Sequence, residues 1–290
     1  MTGLLFGLSL PSSVSLDGGP VGHARAAEEL GFDFVSASDH PCGTDPTFET
    51  WTMLSWIAAS TSRIRVATKV LGVPYRAPAM VAKMAETLDR LSDGRLILGL
   101  GGGSADDEFR AFGMQVPSPR DKVNGLEEAI QITRGLWTQP GFTYNGGLYR
   151  TDHAELEPKP SRQIPIWLGT FGRRALAVTG RLADGWIPTY GYMPLGELPA
   201  MREHMLAAAR KAGRDPAEIT CALHMQAQVD EHAQQGPSLV AGSPAAVTGQ
   251  LLSFVKLGFT AFNFSLTGPS TRDQAERLAH EVIPAVRADA

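Results

Sequence analysis

Short apolar runs alternate with helical patterns along the whole chain. Near-continuous apolar stretches fall at residues 4–10, 33–37, 63–71, 95–100, 165–170, 184–188, 218–228 and 260–266. They lack the apolar–polar alternation of a half-exposed sheet, so they read as strands covered on both faces. Helical periodicity fills the intervals at about 20–30, 50–61, 77–91, 119–137, 172–181, 195–213, 243–257 and 271–288. Pro78 and Pro119 stand where a first helical turn tolerates a missing N–H. Gly31, Gly94 and Gly213 each follow a helical run, the place where a left-handed cap favours glycine.

Eight strand–helix pairs in 290 residues predict a single α/β domain over 1–290, a (β/α)₈ TIM barrel. A doubly wound open sheet is the alternative architecture, since strand order is not written in one sequence. Residues 138–164 break the rhythm. There an Asn-Gly turn at 145–146 between two β-like runs predicts a hairpin inserted before strand five.

Composition narrows the function classes. Hydrophobic residues make up 43% and charged ones 19%, enough apolar surface for a core and too little charge for disorder. The net charge of −4 and the absence of a basic stripe argue against a nucleic-acid partner. Cys42 and Cys221 are the only cysteines, which suits a reducing cytoplasm rather than a disulfide scaffold. The apolar start, Met1–Leu10, has neither the basic flank of a secretory signal nor the length of a membrane span, and is expected to be a first buried strand.

In a barrel, chemistry collects at the C-terminal ends of the strands. Strand two ends in Ser38-Asp39-His40-Pro41, an imidazole held extended by the following proline beside a carboxylate able to orient it. The plain alternative is a turn aspartate and a passive loop histidine. Strand four ends in Gly99-Leu100-Gly101-Gly102-Gly103-Ser104, glycines that allow close backbone approach to a ligand. The position mid-chain and Ser104 in the last slot exclude a dinucleotide fingerprint. Strand five ends in Gly169-Thr170-Phe171-Gly172-Arg173-Arg174 and opens directly into a helix, a cradle for a phosphate or a capped helix with solvated arginines. The chain has no Gly-x-Ser-x-Gly elbow, no phosphate-binding P-loop and no His-Glu-x-x-His. His40 and Cys42 lack the partners of a metal site, so no metal is expected.

Several stretches in order resemble the luciferase-like flavin and deazaflavin oxidoreductases, over nearly the whole chain. They are Gly31–His40, Thr61–Val70, Ala82–Gly103, Glu127–Ile130, Pro165–Gly169, Ala183–Trp186 and Gly242–Pro244. The resemblance implies a luciferase-like barrel with the cofactor across the strand ends. Asp39 and His40 would lie beside the ring as catalytic and cofactor-binding residues. Lys69-Val70 would support the ring face, often through a non-prolyl cis peptide. Gly101, Gly102, Gly103, Gly169, Thr170, Phe171, Gly172 and Arg173 would approach the cofactor tail and its phosphate.

The Ser-Asp-His end and the Leu-Gly-Leu-Gly-Gly-Gly form resemble the branch that uses the deazaflavin coenzyme F420. The implied activity is hydride transfer between F420 and an unidentified small organic substrate. The alternatives are an FMN-dependent monooxygenase or reductase, supplied by a separate reductase, and a flavin-binding barrel without catalysis. The deazaflavin sugar-phosphate dehydrogenases of this family carry a Trp shortly after the His and a Glu directly after the strand-four glycines. Thr44 and Ser104 stand at those places here. Trp51, Tyr190, Tyr192, His224 and Asn263 fall near strand ends and are candidate pocket residues. A homodimer is expected from the resemblance, with Met53, Leu54, Ile57 and Ala58 as a candidate face, a pattern that equally fits packing on the chain's own barrel.

Overall fold

The computed structural model describes residues 3–15 and 17–290. Of the expected first strand, Met1 and Thr2 lie outside the described residues. Eight parallel strands form a closed ring: β1 (Leu5–Ser9), β2 (Phe34–Ala37), β3 (Arg65–Thr68), β4 (Leu96–Gly101), β5 (Ile166–Leu168), β6 (Gly185–Trp186), β7 (Thr220–Val229) and β8 (Ala261–Leu266). Each strand pairs with its neighbours in the chain, and β8 returns to pair with β1. The chain is therefore a (β/α)₈ barrel rather than an open sheet.

Around it lie α1 (Gly19–Glu29), α2 (Thr50–Ser60), α3 (Pro78–Leu91), α4 (Pro119–Thr138), α5 (Arg173–Leu182), α6 (Leu198–Lys211) and α7 (Pro244–Lys256). The last helix, α8, runs from Thr271 to Asp289 with one wider turn at Leu278–Val282 before Pro284. Glycines 31, 94 and 213 take φ of +81°, +82° and +73° at helix ends, the left-handed geometry expected of them. Side chains cap several helices: Glu49 accepts from Trp51 and Thr52 N–H, Ser118 from Asp121, Ser243 from Ala246 and Ser270 from Asp273. Helix α5 has no side-chain cap at Gly172.

The inserted hairpin, Phe142–Asn145 with Arg150–Ala154, forms as expected. Its tip is tied to α4, where the Glu128 carboxylate accepts from the N–H groups of Gly147, Leu148 and Tyr149. Two elements went unanticipated. A strand at Leu239–Gly242 pairs with the end of β7, and a short helix, Asp106–Ala111, follows the strand-four glycines.

The barrel interior is closed below by one large or small apolar residue from each strand or strand end: Leu5, Phe34, Ala67, Ile97, Trp167, Ile187, Ala222 and Ala261. Phe34 packs edge-on against Trp167, with ring centroids 5.7 Å apart. Side chains of a strand alternate, so the residues two positions further along face the same interior one layer higher. On β2, β7 and β8 those are Ser36, His224 and Asn263, all buried. On β1 and β4 they are Gly7 and Gly99. Their close approaches explain the glycines: a Cβ at Gly7 would stand 2.4 Å from the Phe34 ring, and one at Gly99 would strike the Thr68 carbonyl. An apolar plug thus carries a polar layer, and the strand ends above it form the mouth.

On α2, Met53, Leu54, Ile57 and Ala58 are buried against the chain's own core. They are not a free face for a second subunit. Among the described residues, no helix is long and apolar enough to cross a membrane.

Candidate active site

The end of β3 is irregular. Val66 and Ala67 pair with Leu96 and Ile97, but beyond them Leu71 and Gly72 pair with Leu100 and Gly101. The shift leaves one extra residue on this strand, a bulge that contains the non-prolyl cis peptide Lys69–Val70. The Thr68 hydroxyl stitches the gap, donating to the Gly99 carbonyl and accepting from the Gly99 N–H, each at 2.8 Å. The Val70 side chain projects toward β4 and β5. A Cβ at Gly101 would come within 2.6 Å of it and one at Gly169 within 3.2 Å, so both glycines make room for Val70. Gly103, at φ +82°, is fixed by the Phe109 ring, and Gly102 by the Lys122 backbone.

Asp39 and His40 take different partners. The buried Asp39 carboxylate accepts two bonds from Arg76, at 2.7 and 3.0 Å, and one from the Gly72 N–H at 3.0 Å. Arg76 reaches on to Glu49, the cap of α2. This bridge ties the loop after β2 to the loop after the bulge, and it turns Asp39 away from the role of orienting His40. The carboxylate on the imidazole is Glu108, whose Oε1 lies 2.8 Å from His40 Nδ1. The other Glu108 oxygen accepts from the Tyr75 hydroxyl at 2.6 Å. Burial and that bond push the Tyr75 phenol well above its usual pKa, so it stays a donor.

Glu108 is held by its short helix. Phe109 is fully buried against Tyr75, ring centroids 4.8 Å apart, and Lys122 pairs with Asp106. Ser104 stands directly after the strand-four glycines, and Glu108, four residues later, brings the carboxylate to His40. Nothing in local pattern marks Glu108, which sits in an ordinary acidic first turn. Only closure of the barrel brings it to His40.

The polar layer forms a second cluster. Lys69 Nζ lies 3.2 Å from His224 Nε2, and His224 Nδ1 lies 3.1 Å from the Asn263 carbonyl oxygen. The Asn263 side chain bonds in turn to Ser36. Burial lowers the Lys69 pKa to about 8. Burial, then the Lys69 charge, lower that of His224 to about 3 against the pull of the Asn263 contact, so the imidazole is neutral. Of the candidate pocket residues, His224 and Asn263 belong to this cluster. Trp51 packs on the core and Tyr190 lies edge-on against Phe254. The largely exposed Tyr192 lies against Phe171, with ring centroids 5.8 Å apart.

At the end of β5, the Thr170 hydroxyl is buried and 2.7 Å from that of Thr179, which itself donates to the Ala175 carbonyl. Thr170 therefore spends its proton inside the fold, on the Thr179 hydroxyl. What the loop offers outward is different. The first N–H groups of α5 have no side-chain cap, Gly172 has open space where a Cβ would stand, and Arg173 is exposed.

A cavity of about 960 Å³ is lined by Lys69, Ser9, Ser38 and Ser265 together with residues of α1 and α8. It is lined by neither the β4 glycines nor the β5 loop nor the hairpin. The mouth is thus divided, with Val70, the glycines and Gly172 on one side and the cavity on the other. No cluster of three or more potential metal ligands occurs among the described residues.

Residues 20–240 match the family described as luciferase-like monooxygenase. An F420-dependent glucose-6-phosphate dehydrogenase of Kineococcus radiotolerans is 30% identical over 311 residues, spanning 91% of each chain. One from Nakamurella multipartita is 34% identical over 218 residues, 71% of this chain and 62% of the relative. Among solved structures, an F420-dependent secondary alcohol dehydrogenase in complex with an F420-acetone adduct shares the fold. Its TM-score is 0.87 at 21% identity, over 98% of this chain and 99% of that one.

Proposed function

The chain belongs to the luciferase-like monooxygenase family, and from that membership we propose an F420-dependent oxidoreductase that moves hydride between the deazaflavin and a small organic substrate. The observation that carries the reading is the imidazole–carboxylate pair His40–Glu108 standing at a mouth shaped by Val70 and glycines. The relatives named as F420-dependent support the choice of cofactor.

The residues present fit such a group. Val70, Gly101 and Gly169 would meet the ring, and the uncapped start of α5 with Arg173 would hold the phosphate. F420 supplies a ring carbon that accepts or returns hydride. The chain handles the proton. With Nδ1–H donated to Glu108, His40 leaves Nε2 free as a base for a substrate hydroxyl. Glu108 stabilises the imidazolium that results, and Tyr75 keeps Glu108 in place. In the reverse direction the same nitrogen returns the proton to a carbonyl oxygen. Asp39 acts on this chemistry through position, by fixing the loop that carries His40.

We place a homodimer on the exposed Trp56 of α2 and Met80 of α3 rather than on the buried Met53 stripe. Cofactor choice is tested by fluorescence titration of the protein with F420 and with FMN. F420 should bind more tightly, and FMN binding of equal or greater strength would overturn the assignment in favour of flavin chemistry.

A further inference from the structure

Lys69 leaves β3 at the bulge and carries its amine across the barrel to β7, where it meets His224. That partner is neutral. Among the described residues no carboxylate lies within ion-pair distance of the Lys69 amine. Asp39 is taken by Arg76, and Glu108 by His40 and Tyr75. Removing an ammonium from water costs several kcal/mol unless an opposite charge meets it, so buried cations are nearly always paired. A partly buried amine without a counter-charge, on the wall of a cavity of about 960 Å³, points to a partner that arrives with the ligand.

The rest of the cavity describes that ligand. Ser9, Ser38 and Ser265 line the same cavity and bring hydroxyl groups to it. The walls include apolar Leu8, Leu10, Ala26, Ala27 and Leu30, with charged Glu29, Arg272 and Glu276 among them. The cavity lies away from the β4 glycines and the β5 loop, so the amine faces the substrate side of the mouth. We propose that Lys69 is the binding site for the anionic group of the substrate, and that the substrate is an organic acid with an apolar body seated between α1 and α8. This rests on the oxidoreductase reading only in calling the ligand a substrate, since the anion site itself is defined by the protein alone.

Octanoate and 1-octanol, equal in chain and different in charge, are suitable probes. They would be titrated calorimetrically into wild type and Lys69→Met, each with and without F420. Octanoate should bind wild type more tightly than octanol does, and about 10- to 100-fold more weakly to Lys69→Met, the range for one charged hydrogen bond. Octanol should not distinguish the two proteins. In wild type labelled with ¹³C- and ¹⁵N-lysine, octanoate should shift the Lys69 side-chain resonances and octanol should not, which keeps the test open if the variant folds poorly.

Octanoate that binds no better than octanol, or equally to both proteins, overturns the proposal. So does a variant that loses F420 affinity and keeps octanoate affinity, because the amine would then serve the cofactor. A failure of the F420 reading shows separately, in the cofactor titration, and leaves the octanoate result without cofactor unaffected.

Discussion

Replacing Arg76 by Met tests whether Asp39 is a structural anchor. The Asp39 side chain is 1% exposed and that of Arg76 17%, so their pair is close to fully desolvated. Methionine fills the arginine stem and removes two charge-assisted bonds, leaving the carboxylate with the Gly72 N–H alone. Breaking a buried pair from one side costs about 3–5 kcal/mol, because the remaining charge is stranded. The surviving amide bond puts this case near about 3 kcal/mol. The second Arg76 contact, to the 41% exposed Glu49, adds little. Urea unfolding should show that loss as a lower midpoint at unchanged slope. The double variant Asp39→Asn, Arg76→Met should recover part of it, since a neutral amide is cheaper to bury than a carboxylate. A single variant that loses less than about 1 kcal/mol, or a double variant no more stable than the single, would refute the anchor.

Two further outcomes are expected. The folded His224 pKa, about 3, lies below its ordinary 6.5, so the unfolded chain takes up the proton first and stability falls as pH drops through that interval. Unfolding free energy measured from pH 7 to 4 should therefore fall more steeply in wild type than in His224→Gln, and parallel curves would disprove a neutral buried imidazole. Thr170→Val should lower stability by about 1 kcal/mol and leave F420 affinity unchanged, whereas Arg173→Ala should weaken that affinity and flatten its salt dependence; the opposite pattern would return the phosphate contact to the Thr170 hydroxyl.

The barrel was legible because its cause is local. Strands such as Leu96–Gly101 are buried at every position, and that double coverage is written as an unbroken apolar run. The boundaries slipped where tertiary pairing overrides propensity. The run at 63–71 reads as one strand, yet the bulge ends β3 at Thr68 because Lys69 and Val70 must leave the ladder. Leu239–Gly242 is not marked in the sequence, because four residues carry too little pattern to stand out from a loop. The Met53 stripe was ambiguous on principle: a helix face turned to its own barrel and one turned to a second subunit have the same spacing.

The site divides by the same logic. His40, the glycines and the β5 loop lie at strand ends, so a barrel reading points to them directly. Their partners do not. Asp39 and Arg76 stand 37 residues apart, and Glu108 lies 68 from His40. A histidine–aspartate neighbourhood in sequence therefore suggested a pairing that the fold replaces with another. The polar layer had a signal of a subtler kind. His224 follows the plug residue Ala222 by two positions, Asn263 follows Ala261 by two and Ser36 follows Phe34 by two. Polar residues at that fixed offset on three strands mark an interior layer that the chain maintains at the cost of burying hydrogen-bonding groups. Lys69 has the same offset from Ala67, on a strand whose bulge alters its path. A lysine in register with such a layer is most economically explained by a ligand that meets it, because packing alone would favour an uncharged side chain there.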